Sequence, residues 1–96
     1  MSDHTPVSYV VTFRYQEKGL GDLQSLNSAM VNAGYATTLN DADGHAHELG
    51  TNSFGIVSAL PEQALADQAA GVAEVALHQR PQVAVTKLEA YLKAQA

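Results

Sequence analysis

The sequence predicts an α+β fold in which two helices cover one face of a four-stranded antiparallel sheet, followed by a short C-terminal helical tail. Several segments alternate polar and apolar residues with period two, and two segments between them show helical spacing. The chain has 96 residues, 46% apolar and 16% charged, with no cysteine. This composition indicates one small domain over residues 1–96, in which residues 1–6 form a flexible arm.

The first predicted strand, Val7 to Tyr15, alternates along its whole length. Its aromatic side is expected to pack against the helices, and the side that bears Arg14 is expected to be free of them. The residues expected inside are Val7, Tyr9, Val11, Phe13 and Tyr15, and those expected outside are Ser8, Val10, Thr12 and Arg14.

The first predicted helix follows a Gly-rich break. Asp22 is suited to cap its start, and Gly34 is suited to end it. Leu23, Leu26 and Met30 recur at helical spacing and predict one buried stripe.

A hairpin is predicted next. The segment Tyr35 to Asp41 alternates, and the turn residues Asp41-Ala42-Asp43-Gly44 follow it. The return strand is predicted over Asn52 to Leu60, after an irregular stretch from His45 to Thr51. In that strand Phe54 lies on the helix-facing side.

The second helix is predicted from Pro61 to about Gln79. Pro61 suits the first helical turn, and Arg80-Pro81 should end the helix, because proline disfavours helical backbone in the residue before it. Its expected apolar stripe consists of Leu65, Ala69, Val72 and Ala76. A short strand, Gln82 to Thr86, and a final helix, Lys87 to Gln95, complete the chain.

The order strand, helix, strand, strand, helix, strand predicts a ferredoxin-like sandwich. Its outer sheet face would be small and partly apolar, which a solvated face seldom is. Two interpretations remain open. The face is covered by a second copy in a homodimer, or by the C-terminal segment of the same chain.

The charge balance limits the choice of partners. Ten acidic and five basic residues give a net charge of −5, which argues against a protein that coats DNA or RNA through many phosphate contacts. The sequence shows no apolar segment long enough for a membrane span and no secretory leader, so we expect a soluble, cytoplasmic protein without DNA or membrane partners. No cofactor and no metal are assigned.

Two histidines are the candidate catalytic residues. His45 and His47 would project on the same side of an extended strand, near Asp41 and Asp43. Such a pair can act as acid and base in RNA cleavage through the 2′-hydroxyl, can hold a metal jointly with carboxylates, or can be solvated loop residues.

A cation pair is a second candidate. Arg14 is expected to meet Lys87 beyond the last strand, where the two could hold a phosphate. The alternative is a solvated charge at the end of a strand.

Particular residues resemble the GhoS family, the antitoxin endoribonucleases of type V toxin-antitoxin systems, which are similar in fold to the CRISPR-associated Cas2 proteins. The resemblance covers about half of the chain, from Val7 to Leu60. It lies in Tyr9-Val10-Val11-x-Phe13-x-Tyr15, in Leu26 and Met30, in Asp41-x-x-Gly44, and in Leu49 with Asn52-Ser53-Phe54-x-Ile56.

The resemblance implies an antitoxin that cleaves the single-stranded messenger RNA of a small membrane toxin. It implies that Phe54 and a residue of the first helix contribute to activity; the helix residue is basic in the family and is Asn27 here. It also implies an acidic residue near the end of the first strand, where this sequence has Arg14.

These observations lead to two hypotheses. The first is a GhoS-like endoribonuclease in which His45 or His47 transfers protons, Phe54 shapes the site, and Arg14, Asn27, Asn52 and Ser53 contact RNA. The second is a non-catalytic homodimeric interaction module on the same scaffold.

Overall fold

The computed structural model describes residues 6–95. Most of the expected N-terminal arm, residues 1–5, lies outside the described residues. The elements are β1 (Val7–Arg14), α1 (Leu20–Asn32), β2 (Thr38–Asn40), β3 (Ala46–Glu48), β4 (Ser53–Ser58), α2 (Glu62–Leu77), β5 (Gln82–Lys87) and α3 (Leu88–Gln95).

The main sheet has three antiparallel strands in the order β4-β1-β5. Tyr9 pairs with Ile56 on one side and with Lys87 on the other. Beyond β4, Ala36 forms a single antiparallel bridge with Gly55. The fold class α+β is therefore confirmed, whereas the expected fourth strand is reduced to this bridge.

The inner face of the sheet carries the main core, as the alternation in β1 predicts. Phe13 is 2% exposed and Phe54 1% exposed, and their rings meet edge to face with centroids 5.9 Å apart. Leu26 and Met30 of α1 and Leu65 of α2 pack against them. Burial of these side chains is the main stabilising contribution, because each removes a large apolar surface from water.

The outer face is covered by a second layer, which we call the outer layer: the β2–β3 hairpin, Leu49 and α3. Val10, expected on an open face, is fully buried in a small cluster with Leu49 and Leu88. The Tyr91 hydroxyl donates to the Leu49 carbonyl at 2.6 Å, which ties α3 to the segment after the hairpin. Of the two interpretations of this face, the structure has the C-terminal segment over the centre of β1.

Gly55 allows the hairpin to approach the sheet closely. A Cβ atom at this position would overlap the Leu39 side chain, with Leu39 Cδ1 only 2.5 Å away. Glycine is needed here for space, since its backbone φ is not positive.

The predicted pairing of the segment Tyr35 to Asp41 with the return strand holds at Ala36 but was wrong for β2. β2 pairs with β3, so that Thr38 lies opposite Glu48 and Asn40 opposite Ala46. β3 falls inside the stretch predicted to be irregular. It has only three residues, and none is a large apolar residue, so the alternation that identifies a half-buried strand is absent.

The bounds of α1 and α2 differ from prediction at three ends. α1 begins before Asp22, whose carboxylate accepts the Lys18 amide N–H at 2.7 Å. Pro61 precedes α2 as its N-cap. α2 ends at Leu77, before Arg80, because His78 adopts a left-handed conformation (φ 57°).

The predicted stripe of α2 is partly corrected. Leu65 and Ala69 are buried, whereas Val72 and Ala76 are half-buried. Ala70, Ala73 and Leu77 complete the buried set. Among residues 6–95, no helix combines the length and the apolar character that a membrane crossing requires.

Candidate active site in the outer layer

The turn between β2 and β3 is organised by one carboxylate. Asp41 Oδ1 accepts the amide N–H groups of Asp43 and His45, each at 2.9 Å. Gly44 completes the turn with a φ of 84°, a conformation that favours glycine. The backbone thus fixes the Asp41 side chain and leaves its second oxygen for other partners.

The second oxygen of Asp41 binds the predicted histidines. His47 Nε2 lies 2.8 Å from Asp41 Oδ2, and His45 Nδ1 lies 3.6 Å from the same atom. Because an ionised carboxylate can only accept, this contact requires a proton on His47 Nε2, and Nδ1 has no hydrogen-bond partner among residues 6–95. The hydrogen bond from His47, followed by that from the His45 amide, lowers the pKa of Asp41 to about 2.

The two histidines differ in exposure. The His45 side chain is 75% exposed and the His47 side chain 35%. His47 is therefore held by the carboxylate, whereas His45 stands at the surface of the turn.

Three residues of this turn could also hold a metal ion. One ligand atom each from Asp41, Asp43 and His45 lies within 4.8 Å of the others. Carboxylate and imidazole ligands suit a divalent transition metal.

A groove beside α1 brings together three of the residues predicted to contact RNA. Asn27, Asn52 and Ser53 line a cavity of about 290 Å³ with Leu23 of α1 and with residues of the hairpin and of the loop after it. We call it the α1–hairpin groove. The remaining lining residues are Thr37, Glu48, Gly50 and Thr51.

The Asn52-Ser53 segment is held by contacts to β1 and to Tyr15, the residue after it. Asn52 adopts a positive φ of 63°, and its Oδ1 accepts the Tyr15 hydroxyl at 3.0 Å. The Ser53 and Thr12 hydroxyl oxygens lie 3.1 Å apart. Asparagine tolerates the left-handed conformation better than most residues. These contacts fix the wall of the groove that Asn52 and Ser53 form.

Phe54 lies next to this wall but points into the core. Its 1% exposure leaves no ring face for a base to stack on. Any influence of Phe54 on a site therefore passes through packing, and a direct contact of Phe54 with RNA is not supported by this burial.

The predicted Arg14–Lys87 pair was wrong. Arg14 pairs with Gln82 at one end of β5, and Lys87 pairs with Tyr9 at the other end, about 17 Å away at the usual rise per residue. The antiparallel register of β1 and β5 therefore separates the two cations. Arg14 is exposed and lines a groove with Gln82. The resemblance implies an acidic residue at this position, and arginine cannot bind a metal ion in its place.

Lys87 instead lies near the Asp41 turn. Both residues line a cavity of about 420 Å³ with Ser8 and Asn40. Sequence analysis missed this neighbourhood, because it depends on the hairpin folding back over the sheet. The Asp-x-Asp-Gly turn was the one local signal that Asp41 would be fixed.

The turn and the α1–hairpin groove are joined by β3. His47 and Glu48 are consecutive residues, one beside Asp41 and the other in the groove. From His45 to Glu48 the backbone spans about 10 Å. The histidine pair and the groove are therefore about 10 Å apart along β3, and His47 and Glu48 project from opposite faces of that strand.

The chain is similar to known proteins over most of its length. A family model described as endoribonuclease GhoS matches residues 1–94. "Uncharacterized protein YdiZ" of Escherichia coli (strain K12) is 32% identical over 83 residues, which is 86% of each chain. The protein of that name from Escherichia coli O157:H7 matches equally well. The chain therefore belongs to the GhoS endoribonuclease family.

Proposed function

We propose that this protein is an antitoxin endoribonuclease that cleaves the messenger RNA of a small membrane toxin, with His47 and His45 as its catalytic residues. The observation that carries the proposal is the 2.8 Å contact between His47 and an Asp41 carboxylate that the turn backbone already fixes. Family membership supports the reaction class, and the toxin, the RNA partner and a cytoplasmic location remain predictions.

The proposed reaction is an in-line transfer at phosphorus. His47 Nδ1 takes the proton of the 2′-hydroxyl, and the 2′-oxygen attacks the adjacent phosphorus. His45, as imidazolium, gives a proton to the departing 5′-oxygen. The P–O5′ bond breaks as the P–O2′ bond forms, which yields a 2′,3′-cyclic phosphate and a free 5′-hydroxyl. Asp41 orients His47 and stabilises its charged form.

Contacts to RNA are proposed at both ends of β3. Lys87, which lines the same cavity as Asp41 and Glu89 and is the one lysine or arginine among the described residues of that lining, would neutralise a phosphate. Asn27, Asn52 and Ser53 would contact the neighbouring nucleotide in the α1–hairpin groove. Arg14 would bind the backbone further along, at the exposed end of β1.

The experiment is cleavage of a short A/U-rich transcript by purified protein, with and without chelator. We expect His47→Ala to lower the single-turnover rate at least 100-fold, the usual contribution of a general base. His78→Asn is the control, because it removes an exposed histidine at a left-handed position that asparagine tolerates. Two results would contradict the proposal: the transcript stays intact at high protein excess, or the His47→Ala variant cleaves it as fast as the wild-type protein does.

We also propose that the fold is a ferredoxin-like variant related to that of Cas2 proteins, built as one domain. The order β4-β1-β5 and the bridge from Ala36 to Gly55 support it, since the bridge occupies the position of the fourth strand. In this variant the chain leaves the sheet after Ala36 and builds the hairpin that carries Asp41 and His47.

The alternative function is a non-catalytic homodimeric interaction module. Val57 favours it, because this outer-face residue is 58% exposed and lies on the part of β4 beyond the Gly55 bridge. Light scattering on the purified protein tests this alternative: a dimer without RNA cleavage supports it, and a monomer contradicts it.

A further inference from the structure

We propose that the α1–hairpin groove binds one RNA base by its edge, and that Glu48 selects adenine and cytosine, which carry an amino group where uracil carries a carbonyl oxygen. The inference rests on the proposal that the protein binds single-stranded RNA. The inference assigns Glu48 as a specificity-determining residue. It is argued from the charge, the free polar groups and the size of the groove.

The charge of the groove disfavours phosphate. Its lining includes no lysine and no arginine, and Glu48 adds a carboxylate. Lys87 and Arg14 line two other cavities. A phosphate would meet like charge here, so a neutral part of a nucleotide is the better occupant.

The polar groups of the groove are free to bind. Among residues 6–95, the side chains of Asn27, Thr37 and Glu48 make no hydrogen bond to one another or to other described residues. The Asn52 oxygen is occupied by the Tyr15 hydroxyl, which leaves the Asn52 NH₂ group as a donor. Unstacked RNA bases present matching donors and acceptors along their edges.

The size of the groove suits one base. The volume of the groove, about 290 Å³, is close to the lower limit for small-molecule sites. A groove of this size accommodates a single flat ring system and not a dinucleotide. Leu23 supplies an apolar patch for the ring.

Glu48 gives the groove its preference. A carboxylate accepts hydrogen bonds and donates none, so it pairs with the amino group of adenine or cytosine. Uracil presents a carbonyl oxygen at the equivalent place, which the carboxylate repels. The amide of glutamine can donate as well as accept, so Glu48→Gln removes the basis of the discrimination.

The test is equilibrium binding of labelled 2′-O-methyl heptamers of A, C or U, which lack the attacking hydroxyl and are not cleaved. We expect the wild-type protein to bind the A and C oligomers roughly tenfold more tightly than the U oligomer. In Glu48→Gln the three affinities should agree within about twofold. The control Glu62→Gln removes an equal charge at an exposed position of α2 and should keep the ratio, because it strengthens all three alike.

Three outcomes would overturn the inference: no binding of any oligomer, equal binding by the wild-type protein, or a ratio that Glu48→Gln leaves unchanged. The result is independent of catalysis. If no RNA is cleaved but the ratio behaves as expected, the endonuclease proposal fails and the base site stands. If RNA is cleaved but the oligomers bind without base preference, the endonuclease proposal stands and the base site fails.

Discussion

The two faces of the sheet are covered by layers of different thickness and composition. The inner face is an apolar core between the strands and two helices, centred on Phe13 and Phe54. The outer face is covered by a thin layer of a short hairpin and one eight-residue helix, and its buried cluster has only three residues. The polar groups that could do chemistry lie in or beside this thin layer. Most of the stability is therefore expected from the inner face, whereas the candidate functional residues lie in the outer layer and at the edge where this layer meets α1.

The largest expected effect is on the inner face. Phe54→Ala should lower the free energy of unfolding by about 3–5 kcal/mol, because it removes a fully buried ring and its edge-to-face contact with Phe13. Val57→Ala, on the exposed part of the same strand, should cost less than about 1 kcal/mol. Urea denaturation of both variants measures the difference, and similar losses would break the contrast between the faces.

A smaller effect is expected where the hairpin meets the sheet. Gly55→Ala should destabilise by about 1–3 kcal/mol, because its methyl group would overlap Leu39. The double variant Gly55→Ala, Leu39→Ala should lose less than the sum of the single losses.

Gly71→Ala is the matched control for Gly55. Nothing lies within 4 Å of a Cβ at this helical, exposed position, so the change should stabilise by about 0.5–1 kcal/mol. Thermal unfolding of the two glycine variants compares them directly, and a neutral Gly55→Ala would mean that the hairpin does not pack on the sheet.

The Tyr35 hydroxyl is an unsatisfied polar group in the inner core. Its hydroxyl is buried and has no hydrogen-bond partner among the described residues, and burial raises its pKa. Tyr35→Phe should stabilise the protein by about 1 kcal/mol, because an unsatisfied buried hydroxyl is costly. A loss of stability in chemical denaturation would show that the hydroxyl does find a partner.

The smallest expected effect concerns the turn. The pKa of Asp41 is lowered from 3.8 to about 2, so its contribution to stability is complete above pH 4 and is lost as the pH falls towards 2. Asp41→Asn should therefore be less stable than the wild-type protein at pH 7, and the difference should shrink at pH 2. A difference that does not depend on pH would contradict the hydrogen-bonded, ionised carboxylate.

The same division explains what the sequence could predict. Alternation in β1 and helical spacing in α1 indicated the inner face, because a large apolar core requires periodic apolar residues. The outer layer leaves a weaker signal. β3 contains Ala46, His47 and Glu48, and its place is set by Gly55 making room for Leu39, a contact that no local pattern reveals.

The candidate site was predictable only in its parts. His45 and His47 were identified from their spacing, and the turn from Asp41 to Gly44 was predicted from its residue types. Lys87 and Asp41 line one cavity, and Asn27 and Glu48 line another. Both arrangements depend on how segments distant in sequence pack together. The Arg14–Lys87 pair failed for the same reason, since strand register decides which ends of two strands meet.

The most direct test of the division between the faces is a map of backbone amide shifts in the NMR spectrum during titration with an uncleavable single-stranded RNA. We predict that the shifts which move will cluster in residues 37–53, together with Asn27 and Lys87, and that the exposed side of α2 around Val75 will not respond. Shifts centred on α2, or spread evenly over both faces, would contradict a functional outer layer on a structural core.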